Sequence, residues 1–407
     1  MSTKTSRFVH LVCVTSVNNN KYYNMTELSD GSIEVKYGRV GGNETTHHYP
    51  GSKWDSLYRS KIAKGYQDMT DLVEKAVVDE TPEAWKEIED EGIRRVIEFL
   101  REKARDAVKK NYIVASSQVS QAMVDEAQRQ IDHLAAVHDK VSLTEFNDLL
   151  LELFRTIPRR MSDVRDHLAT QSTDRPKLIA REQSLLDVMA GQVTALEVPK
   201  KEAEGNADQT ILDAHGLKFA PATDADIKKI KKLLGKECED LFLCAWKVEN
   251  KATQKKFNAF IKEQGGKLTK KLFWHGSRTE NWWSILRSGL VLRPSNAMIN
   301  GKMFGYGTYF ANRARKSLGY TSLSGSYWAG GNSQYGFMAL YEVAYGEPYD
   351  VETNVGVSDM SWEKLQKVAP GKHCLHAHAG KALMNDEIIV YREDQTTIKY
   401  LVELKRK

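Results

Sequence analysis

The period of the apolar residues changes twice along this chain, and each period admits a different kind of packing surface. From residue 1 to about 75, apolar and polar side chains alternate, as in Ser32-Ile33-Glu34-Val35-Lys36-Tyr37. A period of two puts every second side chain on one face, the mark of a half-buried strand. Asp30-Gly31 and Gly41-Gly42 punctuate the alternation, so tight turns and an antiparallel sheet are expected. One helix is predicted from about 52 to 63, with Trp54, Leu57, Tyr58 and Ile62 on its apolar stripe.

From about Pro82 to Leu196 the period lengthens to that of a helix, in segments rich in Ala, Gln, Glu, Arg and Leu. Helices are predicted from Trp85 to Val108, Ser120 to Val137 and Leu143 to Arg155, with stop signals at Asn111 and Pro158. The polar stretch from Val198 to Gly205 reads as a linker. Beyond it, the runs Leu241 to Trp246, Leu272 to His275, Phe337 to Ala344, Glu387 to Tyr391 and Ile398 to Leu404 read as strands among Gly-rich loops and short helices. A chain of 407 residues exceeds what one hydrophobic core holds, so the expectation is an α+β multidomain protein. Its parts are a small antiparallel β module with one helix, an all-α bundle and a mixed C-terminal half.

Hydrophobic residues make up 41% and charged residues 28%, which excludes a disordered chain and points to a globular one. No run of about 18 apolar residues occurs, so no membrane span is expected. Phe8 to Val14 is short and alternating and reads as a first strand rather than a leader. Cys13, Cys238, Cys244 and Cys374 show no paired spacing, which fits reduced thiols and an intracellular setting: nucleus in a eukaryote, cytoplasm or nucleoid in a bacterium. The formal charge of +5 permits contact with nucleic acid without demanding it.

Three separated segments carry chemistry. They are Leu272-Phe273-Trp274-His275-Gly276-Ser277-Arg278; Met303 to Ala311 with Lys316-Ser317-Leu318-Gly319-Tyr320; and Asn385-Asp386-Glu387-Ile388-Ile389-Val390-Tyr391. Taken singly, His275 suits a structural histidine at a strand end, Tyr309 a core aromatic beside a turn, and Glu387 a solvated edge carboxylate. Gly301, Gly305 and Gly307 imitate a phosphate loop but lack the following Lys-Ser/Thr and the strand-to-helix context of a dinucleotide fold.

Together, in this order and separation, the segments resemble the catalytic domain of the poly(ADP-ribose) polymerases over roughly residues 205 to 407. The resemblance implies a split antiparallel sheet, NAD+ as substrate, and a catalytic triad of His275, Tyr309 and Glu387. It further implies that His275 holds the adenosine ribose, that Gly276 and Ser317 grip the nicotinamide carboxamide, and that Tyr309 and Tyr320 stack on the nicotinamide ring. Ser277, Arg293 and Lys316 complete the NAD+ contacts implied. Losing nicotinamide leaves positive charge on the ribose, an oxocarbenium-like state that the Glu387 carboxylate is placed to stabilise.

The helical third, in Leu149 to Pro158 and Arg181 to Met189, resembles the regulatory helical domain that precedes this catalytic domain. The first third resembles a WGR module, with Tyr37-Gly38-Arg39 at the signature and a supporting match from Trp54 to Tyr66. The domains expected are thus 1–80, 81–200 and 201–407. By this resemblance Tyr37, Arg39, Arg59, Lys61 and Lys64 contact DNA ends or nicks, although Arg59, Lys61 and Lys64 also fit a solvated helix face. The implied function is poly(ADP-ribosyl) transfer to the chain itself and to acceptor proteins, stimulated by strand breaks. Single-unit transfer to protein or nucleic-acid ends, and a non-catalytic DNA-end-binding NAD+ sensor, are the alternatives. His373-Cys374-Leu375-His376-Ala377-His378 offers borderline-soft ligands, but a closed zinc site needs four and the stretch reads as a loop, so no metal is expected.

Overall fold

A computed structural model describes residues 7–73, 85–112, 119–197, 209–292, 303–327 and 329–406. The chain divides into two compact units, residues 1–81 with 106–196 and residues 82–105 with 197–407.

In the first unit, β1 (Phe8–Thr15), β2 (Asn19–Glu27), β3 (Ile33–Arg39), β4 (Thr45–Tyr49) and the short β5 (Gln67–Asp68) form one antiparallel sheet in the order β4-β3-β2-β1-β5. The turns fall where the glycines predict them: Gly31 (φ +82°) and Gly41 (φ +83°) both occupy the left-handed region. Leu11, Tyr23, Met25, Ile33 and Val35 line one face and pack with Trp54 of α1 (Trp54–Ala63). Leu57 and Tyr58 join this cluster, but Ile62, expected on the same stripe, is 40% exposed. Its place is taken by the neighbouring Lys61, whose ammonium lies 4.0 Å from the Tyr23 ring centre and near Tyr37 and Tyr66.

A single helical turn, α2 (Thr70–Val73), is followed by α3 (Glu91–Asn111), α4 (Gln121–Val137), α5 (Leu143–Thr156) and α6 (Arg175–Glu197). The first long helix starts at Glu91 rather than Trp85, because the Asp90 carboxylate accepts from the Ile93 amide at 2.8 Å and so sets the first turn. Ser120 caps α4, and Ser142 with Glu145 forms a capping box on α5. Behind the apolar faces of α4, α5 and α6 sits a buried ion pair, Arg159 with Glu182, while Arg159 also donates to the Asn111 carbonyl at 3.1 Å.

The second unit is built on a nine-stranded sheet. Its strands are β6 (Leu217–Pro221), β7 (Phe242–Asn250), β8 (Lys270–Ser277), β9 (Thr308–Ala311), β10 (Tyr335–Ala344), β11 (Pro348–Val351), β12 (Cys374–Ala377), β13 (Glu387–Val390) and β14 (Thr396–Lys405). They lie in the order β11-β12-β13-β9-β8-β10-β14-β7-β6. The pairings are antiparallel except for parallel β11 and β12. Between them run the helices α7 (Ile211–Ala214), α8 (Asp224–Leu234), α9 (Lys251–Glu263), α10 (Trp282–Ser288), α11 (Ala314–Leu318) and α12 (Trp362–Val368). β8 and β9 meet at one residue pair, Trp274 opposite Ala311, and then part. One half of the sheet therefore continues through β10, β14, β7 and β6, and the other through β13, β12 and β11. Each half has its own core: Trp274, Met338, Leu340 and Val402 in the first, Phe304, Met360, Leu375 and Ile389 in the second.

The same unit includes the first part of α3. Ile93, Val96, Ile97 and Leu100 are buried there, and the Phe99 ring lies 6.0 Å from Phe337. Arg95 donates to both oxygens of Glu403 at 3.2 and 2.5 Å, and the Cys244 thiol donates to the same carboxylate at 3.2 Å. Among the described residues no helix is long and apolar enough to cross a membrane.

Candidate active site

The site is assembled where the sheet splits. His275 lies near the end of β8, Tyr309 in β9 and Glu387 at the start of β13, so the three expected catalytic residues stand on three consecutive strands of the sheet. Tyr309 is opposite Ile389 and Glu387 opposite Ala311. Tyr309 also packs against the core of its half of the sheet, in a strand, β9, that is a full partner of β13 but too short to show a period.

His275 Nδ1 lies 3.2 Å from the Tyr309 carbonyl oxygen. A carbonyl can only accept, so the proton sits on Nδ1 and Nε2 keeps its lone pair. Trp282, Phe310 and Tyr341 surround the ring at 6.5, 5.7 and 6.0 Å between centres. Their desolvation holds the imidazole pKa down to about 4, against a weaker opposing effect of the bond to Tyr309. The ring is thus neutral at physiological pH, able to accept from a hydroxyl.

Gly276 brings β8 against α11. A side chain there would place its Cβ 1.9 Å from the Ser317 carbonyl oxygen, so only glycine permits the approach. The Ser277 hydroxyl accepts from Asn281, and its carbonyl from the Trp282 indole at 3.2 Å, which ties it to α10 rather than leaving it free. Arg293 lies outside the described residues.

Glu387 is 8% exposed, not the solvated edge residue that its position alone suggests. The Lys316 ammonium stands 2.5 Å from its Oε1, so α11 supplies the cation that a buried carboxylate requires. Tyr309 and Tyr320 both feel this carboxylate. Burial first, and Glu387 second, push the Tyr320 hydroxyl up to about 12, and burial with the same neighbour raises Tyr309. The Tyr309 hydroxyl donates to the Gly305 carbonyl and accepts from the Phe304 amide, fixing its ring. The arrangement offers a neutral acceptor, two aromatic rings and a cation-paired carboxylate around one break in the sheet.

Sequence reasoning missed Trp282 and Tyr341, which hold the His275 ring. The Trp282-Trp283 pair following the His-Gly-Ser segment was the available signal, whereas Tyr341 is one apolar-strand residue among many. The 373–378 segment, expected as a loop, contains β12, bonded to β11 and β13. Short strands inside a sheet take their identity from partners far away in the chain.

In the first unit the expected nucleic-acid residues divide into two groups. Arg39 donates to Asn18 at 2.8 and 2.7 Å and to the Ser162 carbonyl at 2.9 Å, and Lys61 lies over the tyrosine rings. Tyr37 stacks on His47, with ring centres 5.8 Å apart. Arg59 and Lys64 are exposed.

A family model of the poly(ADP-ribose) polymerase catalytic domain matches residues 224–406. The poly [ADP-ribose] polymerase-like protein 100L of Invertebrate iridescent virus 6 is 36% identical over 155 residues, 37% of this chain and 78% of that protein. This chain belongs to the poly(ADP-ribose) polymerase family. The uncharacterized protein 101L of the same virus is 30% identical over 234 residues, 56% of this chain and 96% of that protein. Poly [ADP-ribose] polymerase 1 of Gallus gallus is 32% identical over 156 residues, 33% of this chain but only 15% of that protein. Membership of the polymerase family makes the chain an ADP-ribosyltransferase, and its split sheet is the fold expected of that class.

Proposed function

We propose that the chain cleaves the nicotinamide bond of NAD+ and builds poly(ADP-ribose) on itself and on other proteins, in response to DNA strand breaks. The observation that carries this reading is the buried Glu387 carboxylate, paired with Lys316, at the break in the sheet beside His275 and Tyr309. In the proposed reaction Nε2 of His275 accepts from the adenosine ribose hydroxyl, Gly276 and Ser317 hold the carboxamide, and Tyr309 and Tyr320 sandwich the nicotinamide. Positive charge then develops on the ribose as nicotinamide departs, and Glu387 stabilises it and orients the incoming hydroxyl. Lys316 keeps that carboxylate in place before substrate arrives. The proposed modules are 1–80 for nucleic acid, 81–200 for regulation and 201–407 for catalysis, with exposed Arg59 and Lys64 as the phosphate contacts.

Labelled NAD+ incubated with the full chain, with and without nicked duplex DNA, is expected to give a ladder of products that grows with the DNA. Glu387→Gln is expected to lower transfer by about 10²–10³-fold, the usual cost of removing one transition-state-stabilising group. Undiminished polymer from that variant would sink the assignment. A second reading, single-unit transfer, is favoured by the short connection from the end of β12 at Ala377 to Glu387. In that case the gel shows one step instead of a ladder.

A further inference from the structure

The face of β11 and β12 carries a cluster that the transferase chemistry does not use. Asp350 is opposite His376 in the parallel β11–β12 pairing, and His378 lies two residues further along the same chain. One ligand atom from each of Asp350, His376 and His378 falls within 4.8 Å of the other two. Among the described residues this is the one place where three such side chains converge.

Specific contacts argue for more than a chance meeting of polar groups. Asp350 Oδ1 is 2.7 Å from His378 Nε2 and 3.8 Å from His376 Nδ1. Ligands around zinc at about 2.0–2.1 Å stand about 3.3 Å apart in a tetrahedron, midway between these separations. From the other side, Asp386 Oδ2 lies 3.2 Å from His376 Nε2. A carboxylate can only accept, so it fixes the proton on Nε2 and turns the Nδ1 lone pair toward Asp350 and His378. That is the carboxylate–histidine support by which proteins orient a metal-bound imidazole. The two imidazole rings stack at 4.1 Å between centres, which keeps both beside Asp350. At present the Tyr345 hydroxyl lies 2.8 Å from the same Nδ1, and an incoming ion displaces it.

We propose that Asp350, His376 and His378 bind a divalent transition metal, zinc by preference, with a fourth position open to water. Two imidazoles and one carboxylate suit zinc, cobalt or nickel and disfavour calcium and magnesium, which take oxygen ligands. The rule that a zinc site needs four protein ligands holds for closed structural sites; open ones use three. Bound there, the ion ties β11 to β12 and to the segment leading into Glu387.

The test uses full-length protein stripped of metal with a chelator and titrated with Co2+, followed by visible absorption and by thermal melting with Zn2+. One equivalent is expected to give ligand-field bands and a raised melting temperature. Asp350→Asn and His378→Ala, both at half-exposed positions, are each expected to bind at least tenfold more weakly. His373→Ala, whose ring accepts from the Glu347 amide outside the cluster, is expected to bind as the parent does. A parent protein that gives neither bands nor a melting shift overturns the site, and so does unchanged binding in both cluster variants.

Discussion

One methyl group decides whether β8 and α11 can meet at all. The hypothetical Cβ of residue 276, 1.9 Å from a backbone oxygen, cannot be relieved by a rotamer change, so Gly276→Ala must push Ser317 away from the strand. Overpacking of this kind costs about 1–3 kcal/mol. Transferase activity is expected to fall at least tenfold, while circular dichroism shows a folded chain. His275 yields a second outcome at this scale. Its folded pKa is depressed to about 4 from 6.5, so the unfolded chain binds a proton between those values that the folded one does not. Stability from this residue is present above about pH 6.5 and is lost as pH falls toward 4. His215, depressed to about 3 chiefly by burial, acts in the same direction. His275→Gln is expected to flatten the acid limb of a denaturation curve, which urea melts at pH 4.5 and 7 will check.

At the scale of elements, long periodic runs were legible, and of the four-residue strands β13 was, through its unbroken apolar run Ile388-Ile389-Val390. β10 and β14 each have ten residues and were visible as apolar runs, as were α4 and α5, the second with its stop at Pro158. β9 and β12 have four residues each, too few to show a period, and their strand character comes from neighbours remote in the chain. The same limit hid the Asp350–His376–His378 cluster, because Asp350 belongs to a different strand. The family resemblance pointed to His275, Tyr309 and Glu387, but not to the pairing of Glu387 with Lys316, since nothing in a motif reports which cation faces a carboxylate. Among the helices, Arg159 and Glu182 are almost fully enclosed, and removing one partner strands the other charge. Glu182→Ala is expected to destabilise the first unit by about 3–5 kcal/mol, measurable by denaturant unfolding.

For the whole molecule, the decisive fact is that the second unit is not one continuous stretch. The division between units falls inside α3, between residues 105 and 106, and Arg95 reaches Glu403 across 308 residues of chain. Glu403 is 1% exposed, so a fragment beginning near residue 205, where the sequence texture changes, leaves a buried carboxylate without its guanidinium. Arg95→Ala in the full chain is expected to cost about 1–3 kcal/mol, the penalty of a buried carboxylate left with the Cys244 thiol as its side-chain donor, with Arg95 half-exposed keeping it below that of a fully enclosed pair. A fragment from 85 to 407 is expected to melt higher than one from 205 to 407.

The interleaving also sets a timetable on the ribosome. Residues 91 to 105 leave it long before β14 is made, so their apolar face has no seat during most of synthesis. Loop closure over such a separation adds only a logarithmic entropy cost, which makes the late docking thermodynamically easy. The waiting helix is therefore a natural client for chaperones, and nascent chains halted before residue 396 are the species in which it will be found undocked.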